Sequence, residues 1–239
     1  MARTLLISDL HLAPERPQVT AALAELLQRE AHCDTLYILG DLFEVWVGDD
    51  DDAPLAQTVA EMLRSFTDTG SALYLMQGNR DFLLGEGFCN AVGGELLPDP
   101  TVHTINGTPT LLMHGDSLCT DDVAYQAFRE QARSAEWQGA ILAQSLEERR
   151  ELARNLRNVS QEANSNKAED IMDVAPEAVA QAFEAHGVSR LIHGHTHRPC
   201  IHRGQGRARW VLGDWEAKGW YIELSDDKES LESFFISGS

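Results

Sequence analysis

The sequence predicts an α/β layer fold, and three observations carry that reading. The apolar runs are short and nearly continuous, as buried parallel strands are. They alternate with segments of helical periodicity. Each of the first strand candidates ends in a polar block, at the edge where open α/β sheets bind ligands. The run at residues 5–7 (Leu-Leu-Ile) stops at Ser8-Asp9, and residues 19–27 have helical spacing. Residues 36–39 form a second run that stops at Gly40-Asp41, residues 53–66 again space as a helix, and residues 72–76 predict a third strand ending at Gly78-Asn79. Residues 101–105 and 110–113 flank Asn106-Gly107, a hairpin turn signal. From Asp121 to about Asp170 the chain is rich in Gln, Glu, Arg, Ala and Asn with no strand signal, which predicts a helical insertion. A helix at residues 175–186 and a strand at 190–192 follow, and then four runs at 200–202, 208–212, 219–224 and 231–236 predict an antiparallel set. No internal repeat or low-complexity linker divides the chain, so a single domain over residues 1–239 is expected, with the insertion at about 121–170.

Composition narrows the function classes. Apolar residues make up 43% and charged residues 24%, the balance of a soluble globular protein long enough to bury a core without staples. No stretch approaches the roughly 18 apolar residues of a membrane span. The opening MARTLLISDLHL reaches acids and a histidine too early for a leader peptide, so none is expected. Cys33, Cys89, Cys119 and Cys200 are scattered without a CxxC pair, which fits a reducing cytoplasm and no disulfide framework. With 19 Lys+Arg against 38 Asp+Glu the net charge is −19, so most of the surface repels nucleic acid and anionic lipid. No basic groove with interleaved aromatics offsets this, and no nucleic-acid partner is expected. An anionic substrate needs local cations or bound metal.

Five polar blocks follow apolar runs: Asp9-Leu10-His11, Gly40-Asp41, Gly78-Asn79-Arg80-Asp81, His114-Gly115-Asp116 and Gly194-His195-Thr196-His197. They supply nitrogen and oxygen donors and no thiolate, a set suited to manganese, iron or zinc. In Asp-x-His and His-x-His the two donors lie two residues apart, so extended chain points them the same way. Each block alone is an ordinary turn; the ordered set of five is not.

That ordered set resembles the calcineurin-like metallophosphoesterase superfamily over most of the chain, from Asp9 to His197. The resemblance implies a metallophosphoesterase-type layered β-sandwich flanked by helices, with a helical lid insertion. It also implies two divalent ions: Asp9, His11, Asp41 and His197 would hold one, and Asp41, Asn79, His114 and His195 the other, with Asp41 bridging. Two such ions activate water and clamp the phosphoryl oxygens of an in-line displacement. Asp81 and Asp116 are expected to orient the ligand histidines or Arg80 rather than bind metal. His193 is a candidate buttress for His195, and His32, His103, His186 and His202 carry no assigned role.

Many members of the superfamily have histidine after the asparagine, as a general acid. Here the residue is Arg80, which does not release its proton at working pH. It can bond a phosphate bidentately and stabilise developing charge. That suffices when the leaving group is a weak base, as a phosphate leaving a pyrophosphate is. The segments SDLHL, ILGDLFEVWVGDD, GNRDFLLG, LLMHGDSLCTDD and HGHTHRP are similar to one branch of the superfamily, the pyrophosphohydrolases that act on UDP-2,3-diacylglucosamine in lipid A biosynthesis. The branch implies attack of water on the α-phosphorus, giving UMP and 2,3-diacylglucosamine 1-phosphate, with manganese as the usual metal. A generic two-metal phosphodiesterase or nucleotide pyrophosphatase is the alternative. The branch further implies a cytoplasmic enzyme on the inner-membrane surface of a Gram-negative bacterium, and a monomer is expected.

Arg80, Asn79 and His195 are the catalytic candidates, and the same three with Asp122, Tyr125, Ser160, Asn164 and Lys167 are the substrate-binding ones. Ser160, Asn164 and Lys167 fall on one helical face at spacings of four and three. By its residues alone the stretch holding Arg149, Arg150, Arg154 and Arg157 reads as a solvated helix. The resemblance turns it into a face that rests on anionic lipid and shelters acyl chains. Trp46 and Phe82 belong either to the core or to an acyl or lid contact, and Asp49 to Asp52 read as a solvated loop.

Overall fold

A computed structural model describes residues 2–165 and 173–238, with side chains left out between 159 and 165. The first half runs β1 (Thr4–Ile7), α1 (Pro17–Arg29), β2 (Thr35–Leu39), α2 (Pro54–Thr67), β3 (Ala72–Met76), α3 (Glu86–Ala91) and β4 (Glu95–Leu97). The hairpin β5 (Thr101–Ile105) and β6 (Thr108–Leu112) turns at Asn106-Gly107, both at positive φ. Three helices fill the insertion: α4 (Val123–Ala132), α5 (Ala135–Leu142) and α6 (Leu146–Ser165). The chain closes with α7 (Pro176–His186), β7 (Arg190–His193), β8 (Cys200–Gly204), β9 (Arg207–Val211), β10 (Lys218–Leu224) and β11 (Glu229–Phe235).

The helices form where their sequences direct. Pro17, Pro54 and Pro176 open α1, α2 and α7, where the missing N–H costs nothing. Gly187, left-handed at φ 62°, ends α7. In α1 the buried residues are Val19, Ala22, Leu23, Leu26 and Leu27, an i, i+3, i+4, i+7, i+8 stripe.

Two sheets stack face to face. One has the order β11-β10-β1-β2-β3-β4 and the other β5-β6-β7-β9-β8. Alternation along β1 and β2 assigns each face. Leu5, Ile7, Leu36 and Ile38 pack on α1 and α2, while Leu6, Tyr37 and Leu39 point inward to meet Leu112, Ile192 and Trp210 of the second sheet. The outer face of the second sheet is covered by α7, with Phe183 on Leu111 and Leu191. Fully burying one such Leu or Phe contributes roughly 1.5–3 kcal/mol, so these interlayer contacts hold the sandwich. The layered α/β sandwich expected from the sequence is the fold observed.

Two details differ from expectation. The C-terminal strands do not form one antiparallel set. β8 and β9 join the second sheet, with β9 parallel to β7, whereas β10 and β11 join the first, with β10 antiparallel to β1. Each hairpin carries an apolar stripe, and local pattern does not say which sheet edge receives it. The short α3 and β4 also lack a sequence signal, because six and three residues are too few to show a period.

Candidate metal centre

All five polar blocks meet at one edge of the sandwich. Asp9 and His11 follow β1, Asp41 follows β2, Asn79 follows β3, His114 follows β6, and His195 and His197 follow β7. Backbone bonds stitch the loops together: Asp9 N donates to Gly40 O (3.1 Å), His11 N to Asp41 O (3.0 Å) and Gly194 N to His114 O (2.8 Å). Among the described residues seven that are not glycine have positive φ, and five of them are Asp9, His11, Asp41, His195 and His197. A side chain in that region costs of order 1–3 kcal/mol, and such strain concentrates at functional sites. Gly78 and Gly194 allow the close approach, since a methyl group on either would collide with the Asp41 or Asp9 carboxylate.

The donor atoms converge on one another. His11 Nε2 and His197 Nε2 are 3.3 Å apart. Asp41 Oδ2 lies 3.8 Å from both His11 Nε2 and His114 Nε2, and Asp9 Oδ1 lies 3.5 Å from His197 Nε2. Asn79 Oδ1 sits 2.9 Å from His114 Nε2 and 2.8 Å from His195 Nδ1. Two groups of three, Asp9–His11–His197 and Asp9–Asp41–His114, keep their ligand atoms within 4.8 Å of one another. One outer nitrogen meets a carbonyl and another a carboxylate. His114 Nδ1 is 2.9 Å from Leu39 O, and His11 Nδ1 is 3.0 Å from Glu44 Oε2. A proton on the outer nitrogen would leave the inner lone pair facing the cluster, the arrangement of metal-binding imidazoles.

The electrostatics ask for a cation. Burial opposes charging of His114, yet Asp41, Asp116 and Asp9 together push it up to about 9. Burial likewise opposes ionisation of Asp9, but His197, His114 and His11 hold it well below the ordinary carboxylate range. His195, through burial and the nearby His114, is pushed down to about 4 and offers a neutral ring. Carboxylates that draw protons onto neighbouring imidazoles are satisfied equally by a divalent ion, so the residues present fit one.

The supporting groups act on loops more than on ligands. Asp81 accepts from the backbone N–H groups of Gly78 (2.7 Å), Asp41 (3.2 Å), Leu42 (2.8 Å) and Phe43 (3.3 Å), rather than touching a histidine or the Arg80 side chain. Burial and the Asp41 charge push it up to about 6. Asp116 accepts from Tyr125 Oη (2.6 Å) and pairs with Arg129 (3.0 Å), not with a ligand histidine. His193 sits between Gly194 O (2.8 Å) and Arg209 (3.1 Å), so it steadies the loop of His195 and not the ring. Burial pushes it down to about 3, so it stays neutral.

Beside the donors opens a cavity of about 300 Å³ between the sandwich and the insertion. Asn79 and Arg80 stand in its wall, and Phe82, Phe128, Leu152 and Leu156 are among its apolar lining. The Arg80 backbone N–H donates to Asp41 Oδ1 (2.8 Å), while its buried Nε has no partner among the described residues. Trp46 is both core and wall: it stacks on Phe43 and lines the cavity. Phe82 makes the lid contact, meeting Phe128 and Trp137 at ring distances of 6.5 and 5.6 Å. Tyr125 lines the cavity and stacks on His195 at 5.9 Å. The Asp122 carboxylate caps α4 through Tyr125 N (3.1 Å). The side chains of Ser160 and Asn164, and Lys167 altogether, lie outside the described residues.

The arginine helix needs correction, and the acidic loop has a second role. Asp49, Asp50 and Asp52 are exposed, as a solvated loop requires, but the loop is also gripped by α6. Arg149, 4% exposed, donates to Asp50 with both terminal nitrogens (2.7 and 2.5 Å) and to Val47 O (2.6 Å). Arg150 pairs with Asp51 and Asp52, and Asp49 accepts from Trp46 Nε1 and Gly85 N. Arg157 lies 3.4 Å from Glu44, so of the four arginines only the exposed Arg154 fits the expected lipid-facing role without such a partner described. Glu44, Arg129 and Arg133 are structural contributors that the sequence did not flag, and Arg149 is one that it flagged for another role. Each acts through a partner on another loop, and only the folded packing reveals the pair.

Comparison with known proteins agrees with this geometry. A calcineurin-like phosphoesterase family profile matches residues 2–199. Relatives include UDP-2,3-diacylglucosamine hydrolase from Chromohalobacter salexigens, 52% identical over 94% of each chain. Another is UDP-2,3-diacylglucosamine hydrolase from Cellvibrio japonicus, 50% identical over 98% of this chain and 99% of that one. Among solved structures, an archaeal phosphodiesterase superposes with a TM-score of 0.53 at 12% identity, covering 98% and 99% of the two chains. Vacuolar Protein Sorting 29 from Cryptosporidium parvum does so with a TM-score of 0.50 at 16% identity, covering 98% of each. At those identities the two structures attest the fold alone, but the profile covers every donor named above, and the chain belongs to the calcineurin-like phosphoesterase family.

Proposed function

We propose that this chain is a two-ion pyrophosphohydrolase that cleaves UDP-2,3-diacylglucosamine to UMP and 2,3-diacylglucosamine 1-phosphate. The observation that carries the reading is the cavity. It is apolar along the insertion, as acyl chains require, and it ends at Asn79 and Arg80 beside the cluster of donors. The names of the relatives at 50% and 52% identity support the same substrate.

In this reading Asp9, His11, Asp41 and His197 hold one ion and Asp41, Asn79, His114 and His195 the other, with manganese as the metal. The bound ions supply positive charge at the phosphoryl oxygens and lower the pKa of a nucleophilic water. The chain's own residues do the rest. Arg80 presents its unpartnered Nε and fork to the pyrophosphate and stabilises the charge that develops on the departing phosphate. Asn79 and His195, bonded to each other, fix the wall against which the α-phosphate sits. Tyr125 covers His195, and the insertion excludes water from the acyl side. No helix among the described residues is long and apolar enough to cross a membrane. Lipid substrate then enters from the cytoplasmic face of an inner membrane, past Val123 and Leu142, large apolar side chains exposed on the insertion.

The test is an assay of the purified protein on UDP-2,3-diacylglucosamine with Mn²⁺, both products being identified. With heavy-oxygen water the label is expected in UMP. Label in the sugar phosphate would refute attack at the α-phosphorus. Equal turnover of nucleotide diphosphates lacking the lipid would favour a general pyrophosphatase.

A further inference from the structure

We infer that helix α4 is a positioning element for one half of the metal centre, so that seating of this helix and occupancy of that half are linked. The inference rests on the ion assignment proposed above and adds residues to it. Tyr125 and Arg129 lie one turn apart on one face of the helix, and Arg133, its C-cap residue, continues the spacing of four. Each grips a different part of the same half.

Arg133 donates to Gln77 O (3.2 Å), Gly78 O (3.0 Å) and Gln77 Oε1 (3.0 Å). Gln77 O and Gly78 O are the two backbone carbonyls that precede Asn79. Gln77 Nε2 in turn donates to Leu84 O (2.6 Å), so the strand-end is held from both sides. Arg129 pairs with Asp116 (3.0 Å) and Asp99 (3.3 Å), and Asp99 Oδ1 accepts from His114 N (3.3 Å). Tyr125 donates to Asp116 and lays its ring over His195. Between them the three side chains fix Asn79, His114 and His195, the donors that meet at Asn79 Oδ1.

The other half is held differently. Ser8 donates to Asp9, Glu44 lies against His11, and Asp214 lies 3.7 Å from His197. None of these belongs to α4; among the described residues Glu44 alone reaches the insertion, through Arg157 on α6 (3.4 Å). A ligand site needs its donors within about 0.5 Å of productive geometry, so a guanidinium that sets two consecutive carbonyls beside a ligand controls that ligand. The same helix carries Ala124 and Phe128 into the cavity wall. A molecule that fills the cavity therefore presses on the helix that sets Asn79. By linkage, an ion in that half steadies the helix in return.

The experiment titrates Mn²⁺ into the metal-free full-length protein by calorimetry, for wild type, Arg133→Gln, Arg133→Lys and Tyr125→Phe. Wild type is expected to bind two ions. Arg133→Gln should keep one at wild-type affinity and weaken the other by about 10- to 100-fold, the usual scale for a group that orients a ligand. Arg133→Lys should recover part of that loss, because an ammonium can still reach one carbonyl. Tyr125→Phe keeps the ring over His195 and should weaken the same ion to a smaller degree. The undisturbed ion in each variant reports that the fold is intact. If Arg133→Gln does not fold, the Lys and Phe variants decide the matter by the same asymmetry. Equal weakening of both ions, or no weakening of either, overturns the inference while leaving the two-ion assignment in place. A wild type that binds fewer than two ions overturns the assignment and the inference with it.

Discussion

Glu44 Oε2 lies 3.0 Å from His11 Nδ1, on the ring edge opposite the nitrogen that faces His197 and Asp41. Its other oxygen lies 3.4 Å from Arg157 on α6, so one carboxylate touches both the donor cluster and the insertion.

Glu44→Gln preserves shape and removes the charge. It should weaken the ion assigned to His11 by about tenfold, read as Mn²⁺ affinity. The pH dependence has a fixed sign. Burial disfavours the Glu44 anion, but His11, Arg80 and Arg157 hold its pKa below the ordinary value. A depressed carboxylate stabilises the fold above its ordinary pKa and loses that contribution as pH falls through the lowered one. The variant should therefore melt below wild type at neutral pH, and the gap should close in acid.

Asp41→Ala should be the most damaging single change to the donor set. Oδ2 is equidistant from His11 and His114, and Oδ1 accepts from the Arg80 backbone. Its loss removes a shared negative donor and loosens the Arg80 loop together. Metal analysis should find both ions depleted, and turnover should vanish. The melting transition should persist, because Asp41 lies outside the three apolar clusters that hold the layers. Full metal content with full activity would end the two-ion reading.

The donors were legible because five polar blocks follow apolar runs in order, with a glycine beside Asp41, Asn79, His114 and His195. The left-handed backbone of Asp9, His11 and Asp41 was not legible, since nothing in those residue types demands it. Nor was the Arg149–Asp50 pair. Asp50 sits in an acidic run and Arg149 in a basic one, each an ordinary solvated segment until the helix lies on the loop. The position of β9 between β7 and β8 shows the same limit. A strand's alternation names its buried face, while its neighbours are chosen by layers formed far away in sequence.

Arg80→Ala should reduce kcat far more than metal occupancy, because the side chain stands in the cavity wall and only its backbone touches Asp41. Losing one donor to developing charge typically raises a barrier by about 2.7–4 kcal/mol. Arg80→His is the sharper probe. A histidine supplies a proton that a phosphate leaving group does not need, so it should not restore pyrophosphate cleavage. Faster cleavage by that variant would overturn the leaving-group argument.

Arg149 and Arg150 are adjacent in sequence and should behave oppositely. Arg149 is buried, and its removal leaves Val47 O without a donor beneath α6. An unsatisfied buried acceptor costs about 1–3 kcal/mol, enough to lower the melting temperature of a chain this size by several degrees. Arg149→Gln should therefore melt early. Because Arg149 lines the cavity beside Leu152, KM for the acylated substrate should rise, while cleavage of a small soluble phosphodiester stays near wild type. Arg150 reaches Asp51 and Asp52 from an exposed position, where solvent screens the attraction. Arg150→Gln should leave both the melting temperature and KM unmoved. High salt should erase what little Arg150 contributes and weaken the Arg149–Asp50 pair in part, but spare the buried Arg149 bond to Val47 O, a partner with no net charge to screen. Equal responses of the two variants would mean that α6 is held by diffuse charge, not by one buried guanidinium on the Val47–Asp50 loop.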